Sequence, residues 1–261
     1  MDKKRKIDYR RKHILELIAK DGQVKISQLS EILHTTPVTI RSDLTALENA
    51  GYLKRVNGGA IQAVKNYYTV ENQQQKTCSL ETETSIAQAT AALIPDGCTL
   101  FINAGPLSLY TAIELKGRSG LNIVTNSIAV AIELASHPTF RVILLGGDVN
   151  AQYSFSYGST ALEQLEHFKA NKAILSIDGI CMGAGITTYH AEEVSLCRAM
   201  MKRSNETIVI ADSSKWAQES FSNISPLEYA DYYVTDPAAD AATASAIKNL
   251  GKQVVFSTSG M

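Results

Sequence analysis

Apolar residues recur at helical spacing through the first fifty positions and gather into short runs after position 98. From Tyr9 to Lys20, Ile14, Leu17 and Ile18, with Leu15 beside them, mark one face of a helix that Asp21-Gly22 stops. A β-compatible run, Gln23-Val24-Lys25-Ile26, leads to Ser27, whose hydroxyl suits an N-cap, and to a short second helix with Leu29, Ile32 and Leu33 on one side. His34-Thr35 reads as a turn. Thr36 then caps a third helix with Pro37 at its first position, where the missing N–H costs nothing. That helix reaches Ala50 and turns Ile40, Leu44 and Leu47 inward. Tyr52 to Val56 reads as a strand, Asn57-Gly58-Gly59 as a hairpin turn and Ala60-Ile61 as the returning strand.

The stretch from Gln62 to Leu80 is polar and aperiodic, the pattern of a linker. Beyond it, helical segments alternate with β-rich runs at Thr99 to Ile102, Leu121 to Val124, Arg141 to Leu145, Lys172 to Ile177, Thr207 to Ala211, Tyr232 to Thr235 and Gln253 to Phe256. That alternation predicts an α/β body built on a mainly parallel sheet. The expected organisation is a winged helix-turn-helix head (1–62), a linker (63–80) and the α/β body (81–261).

Composition narrows the classes. With 45% hydrophobic and 20% charged residues in 261 positions, the chain lies in the globular range, and disorder on the scale of a domain is not expected. No run approaches the roughly 20 apolar residues of a membrane-spanning helix, and the basic start Met1 to Lys6 precedes no apolar signal core, so a cytoplasmic protein without a membrane partner is expected. Cys78, Cys98, Cys181 and Cys197 form no Cys-x-x-Cys pair, and neither a zinc site nor a disulfide framework is indicated.

The net charge of −1 hides a division. Residues 1 to 68 carry 13 Lys and Arg against 7 Asp and Glu, whereas the remainder carries 12 against 19. A basic head on an acidic body is the layout of a protein whose head alone meets phosphate backbone, which makes double-stranded operator DNA the expected partner. Around the start of the third helix, Thr36, Pro37, Val38, Thr39, Arg41 and Ser42 can reach base edges and phosphates in a major groove, while Lys54, Arg55 and Asn57 lie on the wing, where phosphates pass.

Thr39-Ile40-Arg41-Ser42-Asp43-Leu44 and Arg55-Val56-Asn57-Gly58-Gly59-Ala60 resemble the recognition segment and the wing of the DeoR-type transcription regulators. Ser42 stands where that family carries a second arginine, and Asn57 where it carries a histidine. The resemblance continues through Thr125-Asn126-Ser127, Gly146-Gly147, Asp178-Gly179-Ile180, Gly185-Ile186-Thr187-Thr188 and Asp212-Ser213-Ser214-Lys215. It implies a sensor body similar to sugar-phosphate isomerase and coenzyme A transferase sheets, a small sugar-derived effector of the kind that is generally phosphorylated in the family, and repression of a carbohydrate operon.

In such a sheet a ligand crevice opens beyond the carboxyl ends of the strands. Small or hydrogen-bonding residues follow five of the expected strands, and Asn103, Gly105, Thr125, Asn126, Asp178, Gly179, Asp212 and Lys215 are the candidate effector residues. The resemblance singles out Asp178, Asp212 and Lys215. It also exposes losses where a phosphate would be held: Gly105-Pro106-Leu107-Ser108 replaces a hydroxyl-rich loop, and Glu83 and Cys197 stand at positions that carry lysine in the family.

No Gly-x-Gly-x-x-Gly or Gly-x-x-x-x-Gly-Lys-[Ser/Thr] segment is present, so no cofactor is expected. His190-Ala191-Glu192-Glu193 lacks a metal helix's second histidine and reads as a cap and first-turn charges for a helix beginning near Ala191. An isomerase-like enzyme and a constitutive DNA binder with a decayed pocket remain as alternatives. Paired half-sites on DNA point to a homo-oligomer.

Overall fold

The computed structural model describes residues 10, 11, 13–15, 17, 18, 23–49, 53–56, 58–62 and 79–258, with Asn49, Lys54 and Gln62 described by their backbone alone. The chain divides into two compact units, Met1–Gln75 and Lys76–Met261.

In the first unit, the described part of residues 10–18 is helical and is followed by β1 (Gln23–Lys25), α1 (Ile26–Ile32), α2 (Pro37–Asn49), β2 (Leu53–Val56) and β3 (Gly59–Gln62). The three strands form an antiparallel sheet in the order β1-β3-β2, with Val24 opposite Ala60 and Arg55 opposite Ala60 on the other side. Ile14, Ile18, Val24, Leu29, Ile40, Leu44, Leu47, Leu53 and Ala60 make its core. The expected end of the first helix at Asp21-Gly22 and the wing residue Asn57 lie outside the described residues.

Two expectations for this unit are corrected. Ser27 does not cap the second helix, which begins at Ile26. Lys25 pairs with Gly59 at the end of β1, and the Ile26 N–H, one of the helix's orphan donors, bonds instead to the Gly58 carbonyl at 2.9 Å. The wing turn thereby does the work of a cap. This crossing needs a residue without a side chain, since a Cβ on Gly59 would run into the carbonyl of Val24. Ile32 does not share the inward face either: it is exposed, and Leu29 alone in α1 is buried.

A further feature ties helix to helix. Asp43 sits on the inner face of α2, buried, with its carboxylate paired to the guanidinium groups of Arg10 and Arg11, the second at 3.1 Å. Losing one partner of a buried pair is costly because the others stay partly desolvated, while the partial exposure of both arginines limits the loss.

The second unit opens with α3 (Leu80–Ala92), capped by the Ser79 hydroxyl, which accepts from Thr82 N at 3.2 Å. Residues 63–78 of the expected linker lie outside the described residues, and Leu80 already belongs to this helix. There follow β4 (Thr99–Ile102), α4 (Pro106–Leu115), β5 (Asn122–Thr125), α5 (Ile128–Ala135), β6 (Arg141–Leu144), β7 (Asp148–Asn150), β8 (Phe155–Tyr157), α6 (Ser159–Leu165), β9 (Ala170–Ser176), β10 (Gly179–Cys181), β11 (Gly185–Thr188), α7 (Val194–Lys202), β12 (Ser204–Ile210), β13 (Ser222–Ser225), β14 (Tyr232–Thr235), α8 (Ala241–Asn249) and β15 (Gln253–Phe256). Single turns of 3₁₀ helix intervene at Ala191–Glu193, Ser213–Lys215 and Leu227–Tyr229.

Seven strands form one parallel sheet in the order β15-β14-β12-β9-β4-β5-β6, and each contains one of the seven runs read from the sequence or overlaps it. Successive side chains of a strand point to opposite faces, so each strand feeds two cores. Leu100, Ile102, Ile123, Ile174, Ile208, Ile210 and Val234 pack with side chains of α3, α4 and α5. Phe101, Val124, Ala173, Leu175, Val209 and Tyr233 pack with those of α6, α7 and α8. The chain lays β4, β5 and β6 toward one edge, then returns to place β9 on the other side of β4. The strand order therefore reverses between β4 and β9, the position at which such sheets leave a crevice.

We expect Asp43→Ala to lower the stability of the first unit by about 1–3 kcal/mol while leaving the unfolding of the second unit in place. Urea unfolding of the full chain, followed by probes in each unit, reads this directly. Coincident wild-type and variant transitions would show the ion pair to be idle.

Candidate functional site

The first unit presents the start of α2. Thr36 caps it, its hydroxyl accepting from Thr39 N at 3.3 Å, and Pro37 occupies the first helical position. The approach to that cap is tight: His34 adopts a positive φ of 46°, and Thr35 N bonds back to the Ser30 carbonyl at 3.1 Å. With Ile40, Asp43, Leu44 and Leu47 turned inward, Thr36, Pro37, Val38, Arg41 and Ser42 are exposed and Thr39 is half-buried. Val38, 72% exposed, makes no use of its apolar surface within the unit, and an apolar side chain there suits the methyl group of a thymine.

The two described arginines of this face differ. Among the described residues the Arg41 guanidinium has no partner, so its planar set of donors is free to meet a base edge or a phosphate. Arg55, read from the sequence as a wing contact, instead donates through Nη1 to Thr45 Oγ1 at 2.8 Å, and its backbone N–H donates to Glu48 Oε1 at 2.8 Å. It is exposed, but part of its hydrogen-bonding capacity holds the wing to α2. The Lys54 side chain and Asn57 lie outside what is described.

In the second unit the candidate residues lie at or just beyond the carboxyl ends of β4, β5, β9 and β12. Asn103, buried beyond β4, spans the strand reversal: Oδ1 accepts from Ser176 N at 2.7 Å and Ser108 Oγ at 3.1 Å, and Nδ2 donates to the Ser176 carbonyl at 2.9 Å. Its side chain is spent on structure. Gly105 takes a φ of 151° at the cap of α4, where a Cβ would stand 2.5 Å from Ser176 Oγ. Thr125 is fully buried and accepts from Ser127 N at 3.0 Å. Gly179 is filled over by the chain, since a Cβ there would meet Thr187 Oγ1 at 2.5 Å and the Gln218 carbonyl at 2.7 Å. Asp212 caps the turn Ser213–Lys215, accepting from Ser214 N at 2.9 Å, and Lys215 is half-buried without a partner among the described residues.

Asp178 and Asn126 face the reversal differently. Asp178 Oδ2 accepts from Thr188 Oγ1 at 3.0 Å and Tyr189 N at 2.8 Å, whereas Oδ1 has no partner among the described residues. Asn126 Nδ2 donates to the Ser156 carbonyl at 3.1 Å and to Glu193 Oε1 at 2.8 Å, and its own oxygen is buried without a donor. His190 is flanked by Tyr153, Phe155 and Tyr189, with ring centroids at 4.2, 5.4 and 5.5 Å.

Glu193 is the residue that the sequence concealed. Its carboxyl is buried among the strand ends, held by the Asn126 amide beyond β5 and the Ala104 backbone beyond β4. Both acids do lie in the first turn of the helix that begins at Ala191, as expected, but only Glu192 is exposed there and Glu193 lies inside. Burial lifts its pKa from 4.5 to about 7, with Asp178 and Glu192 adding to the rise and the Asn126 and Ala104 hydrogen bonds opposing it. A buried Asn126 amide preceding a helix, together with an acid in a short turn beyond β11, was the available signal, but the direction of a 3₁₀ side chain is not readable from spacing.

Since the folded state keeps the Glu193 proton up to about pH 7 and the unfolded chain releases it near 4.5, the stability this group contributes is complete below 4.5 and lost as pH rises through 7. Glu193→Gln cannot ionise. Relative to wild type, its second unit should gain on the order of 3 kcal/mol between about pH 4 and pH 8. Denaturant unfolding across that range measures the gain, and parallel curves for the two proteins would contradict the assignment.

The comparisons agree with this two-part architecture. The DeoR-like helix-turn-helix domain matches residues 10–65, and the DeoR C terminal sensor domain matches residues 79–237. The chain is 31% identical over 223 residues to the glycerol-3-phosphate regulon repressor of Escherichia coli strain K12, covering 85% of this chain and 88% of that protein. It is 30% identical over 241 residues to the HTH-type transcriptional regulator YulB of Bacillus subtilis strain 168, covering 92% and 93%. It is 29% identical over 245 residues to the HTH-type transcriptional regulator GolR of Listeria innocua serovar 6a, covering 94% and 96%. With α2 and its exposed start in one unit and the strand ends around the β4–β9 reversal in the other each falling inside one of these matches, the chain belongs to the DeoR family of DNA-binding transcription regulators.

Proposed function

We propose that this regulator represses a carbohydrate-metabolism operon by binding its operator as a homo-oligomer, and that a sugar-derived effector seated at the strand ends releases it. The observation that carries the DNA-binding part is the exposed start of α2, with Val38, Arg41 and Ser42 outward over a buried core and the Arg41 guanidinium without a partner among the described residues. Thr36, Pro37, Thr39, Arg55, Lys54 and Asn57 complete the proposed contact set. The excess of basic residues in positions 1 to 68 supplies the attraction to phosphate. The printed names of the relatives, among them a repressor of a glycerol-3-phosphate regulon, support repression.

The effector part rests on the reversal between β4 and β9 and on the unused oxygen of Asp178 beside it. Asn103, Gly105, Thr125 and Gly179 shape that crevice from beneath, and Asn126, Asp178, Asp212 and Lys215 supply its polar groups. The sensor acts by binding and performs no catalysis; its relatives are named as regulators. Among the described residues no helix is long and apolar enough to cross a membrane, in keeping with a cytoplasmic protein.

Arg41→Ala and Lys54→Ala should separate. The first removes a free guanidinium from the recognition helix and should cost about 1–3 kcal/mol on the specific operator with little effect on random DNA. The second should weaken both alike and flatten the dependence of affinity on salt. Binding of the full chain to a fragment from its own locus and to random DNA, across a salt series, distinguishes them. Equal and uniform losses would deprive α2 of a reading role, and salt-independent binding would refute the phosphate contacts.

A further inference from the structure

The crevice at the strand reversal is short of cations and rich in acceptors. The connections that leave β4, β5, β6, β9 and β11 contain no lysine or arginine, yet Asp178 follows β9 and Glu192 and Glu193 follow β11. Lys215 lies beyond β12, and a bridge between Trp216 and Ile180 sets its turn beside β10. Arg198, the other basic residue of the resemblance, is committed: Nε donates to the Ile224 carbonyl at 2.7 Å and Nη2 to that of Asn223 at 2.9 Å. Cys197 is buried with its sulfur 3.8 Å from Asn103 Nδ2.

A phosphate needs donors, and the residues here have few to give. Pro106 removes one N–H from the start of α4, and the Asn103 amide is bonded into β9. A dianion would also stand near the Asp178 carboxylate, and Lys215 is the compensating charge available to it, so in a site sheltered from water a phosphate gains less than it would without that carboxylate. Apart from Lys215, what is left over accepts instead. Asp178 Oδ1 is free among the described residues, and Asn126 Oδ1, on a residue only 1% exposed, is buried with no donor among them. A buried acceptor left unsatisfied costs about 1–3 kcal/mol, so a ligand that brings a hydroxyl to it recovers that loss. Beside these acceptors, His190 with Tyr153, Phe155 and Tyr189 forms an aromatic group suited to the C–H face of a sugar or polyol.

We propose that the effector of this crevice is an uncharged, unphosphorylated polyol or sugar whose hydroxyls donate to Asp178 Oδ1 and Asn126 Oδ1, with the Asp178 carboxylate repelling the phosphorylated form. The inference rests on the reading of the second unit as an effector sensor and narrows its ligand class. Asn126 is covered, so a hydroxyl that reaches it enters beneath the turn that carries Glu193.

Titration calorimetry on the intact protein tests this with D-glucitol, galactitol, D-fructose and D-galactose, each against its own 6-phosphate, and with inorganic phosphate. The expected result is binding of at least one uncharged compound, with its 6-phosphate at least tenfold weaker and inorganic phosphate silent. Asp178→Asn keeps an acceptor for Thr188 and Tyr189; it should weaken the uncharged ligand several-fold and narrow its advantage over the ester. An ester that binds as tightly as its parent compound overturns the inference, as does silence of the whole panel; the wild-type ranking decides even if the variant does not fold. If an ester binds more tightly and also weakens operator binding, the ligand class is wrong while the effector-sensor reading stands. If no compound binds or changes operator affinity, the sensor reading falls with it.

Discussion

The sensor unit depends on how its sheet is closed where the strand order reverses. β4 and β9 run side by side, the segments that follow them part company, and beyond the backbone bond from Asn103 N to the Ile174 carbonyl a further tie crosses the gap. The Asn103 amide supplies it, accepting from Ser176 N and donating to the Ser176 carbonyl as a further rung of the ladder would. Every polar atom of that side chain is used, in a buried setting where an unmet one would be expensive. Gly105 then passes close over Ser176, and Ala104 is placed to hold Glu193. The proposed crevice lies beside this bond, and its chemistry comes from the groups the bond leaves free.

The DNA-binding unit uses charge in two opposed ways on one helix. On the inner face of α2, Asp43 draws in Arg10 and Arg11, so two of the head's basic residues stabilise the fold as well as adding to its positive field. On the outer face Arg41 has no partner among the described residues. The same helix also receives Arg55 from the wing through Thr45 and Glu48, which sets the wing's position against the reading surface. Net charge attracts the head to DNA; this partition decides which arginines remain to contact it.

Of the seven parallel strands, β4, β5, β9, β12 and β14 were legible because helices cover both faces and leave dense apolar runs, whereas the half-exposed edge strands β6 and β15 were legible from their β-branched and aromatic residues. The recognition helix was legible from its cap, from Pro37 and from the spacing of Ile40, Leu44 and Leu47. The short pairs β7–β8 and β10–β11, and β13 beside β11, were not: they are three or four residues long, and Asp148–Asn150 and Ser222–Ser225 are largely polar. The sequence pointed to the strand ends as a place to look, but spacing could not tell spent groups from free ones. Asn103 and Asp178 both follow strands; one is consumed by its neighbour strand and the other keeps an oxygen open. Asp43 and Glu193 were missed as interior charges for a related reason, since burial of an acid depends on partners far away in sequence.

The central claim is that occupation of the crevice and occupation of the operator are energetically linked within one chain. Linkage requires the effect to be reciprocal: the factor by which an effector changes operator affinity must equal the factor by which operator changes effector affinity. The direct measurement takes the tightest crevice ligand and determines both affinities, each with and without a saturating amount of the other partner. The account predicts weaker binding in both directions by one common factor, on the order of 5- to 150-fold. A ligand that binds tightly to the sensor while operator affinity stays the same would contradict it.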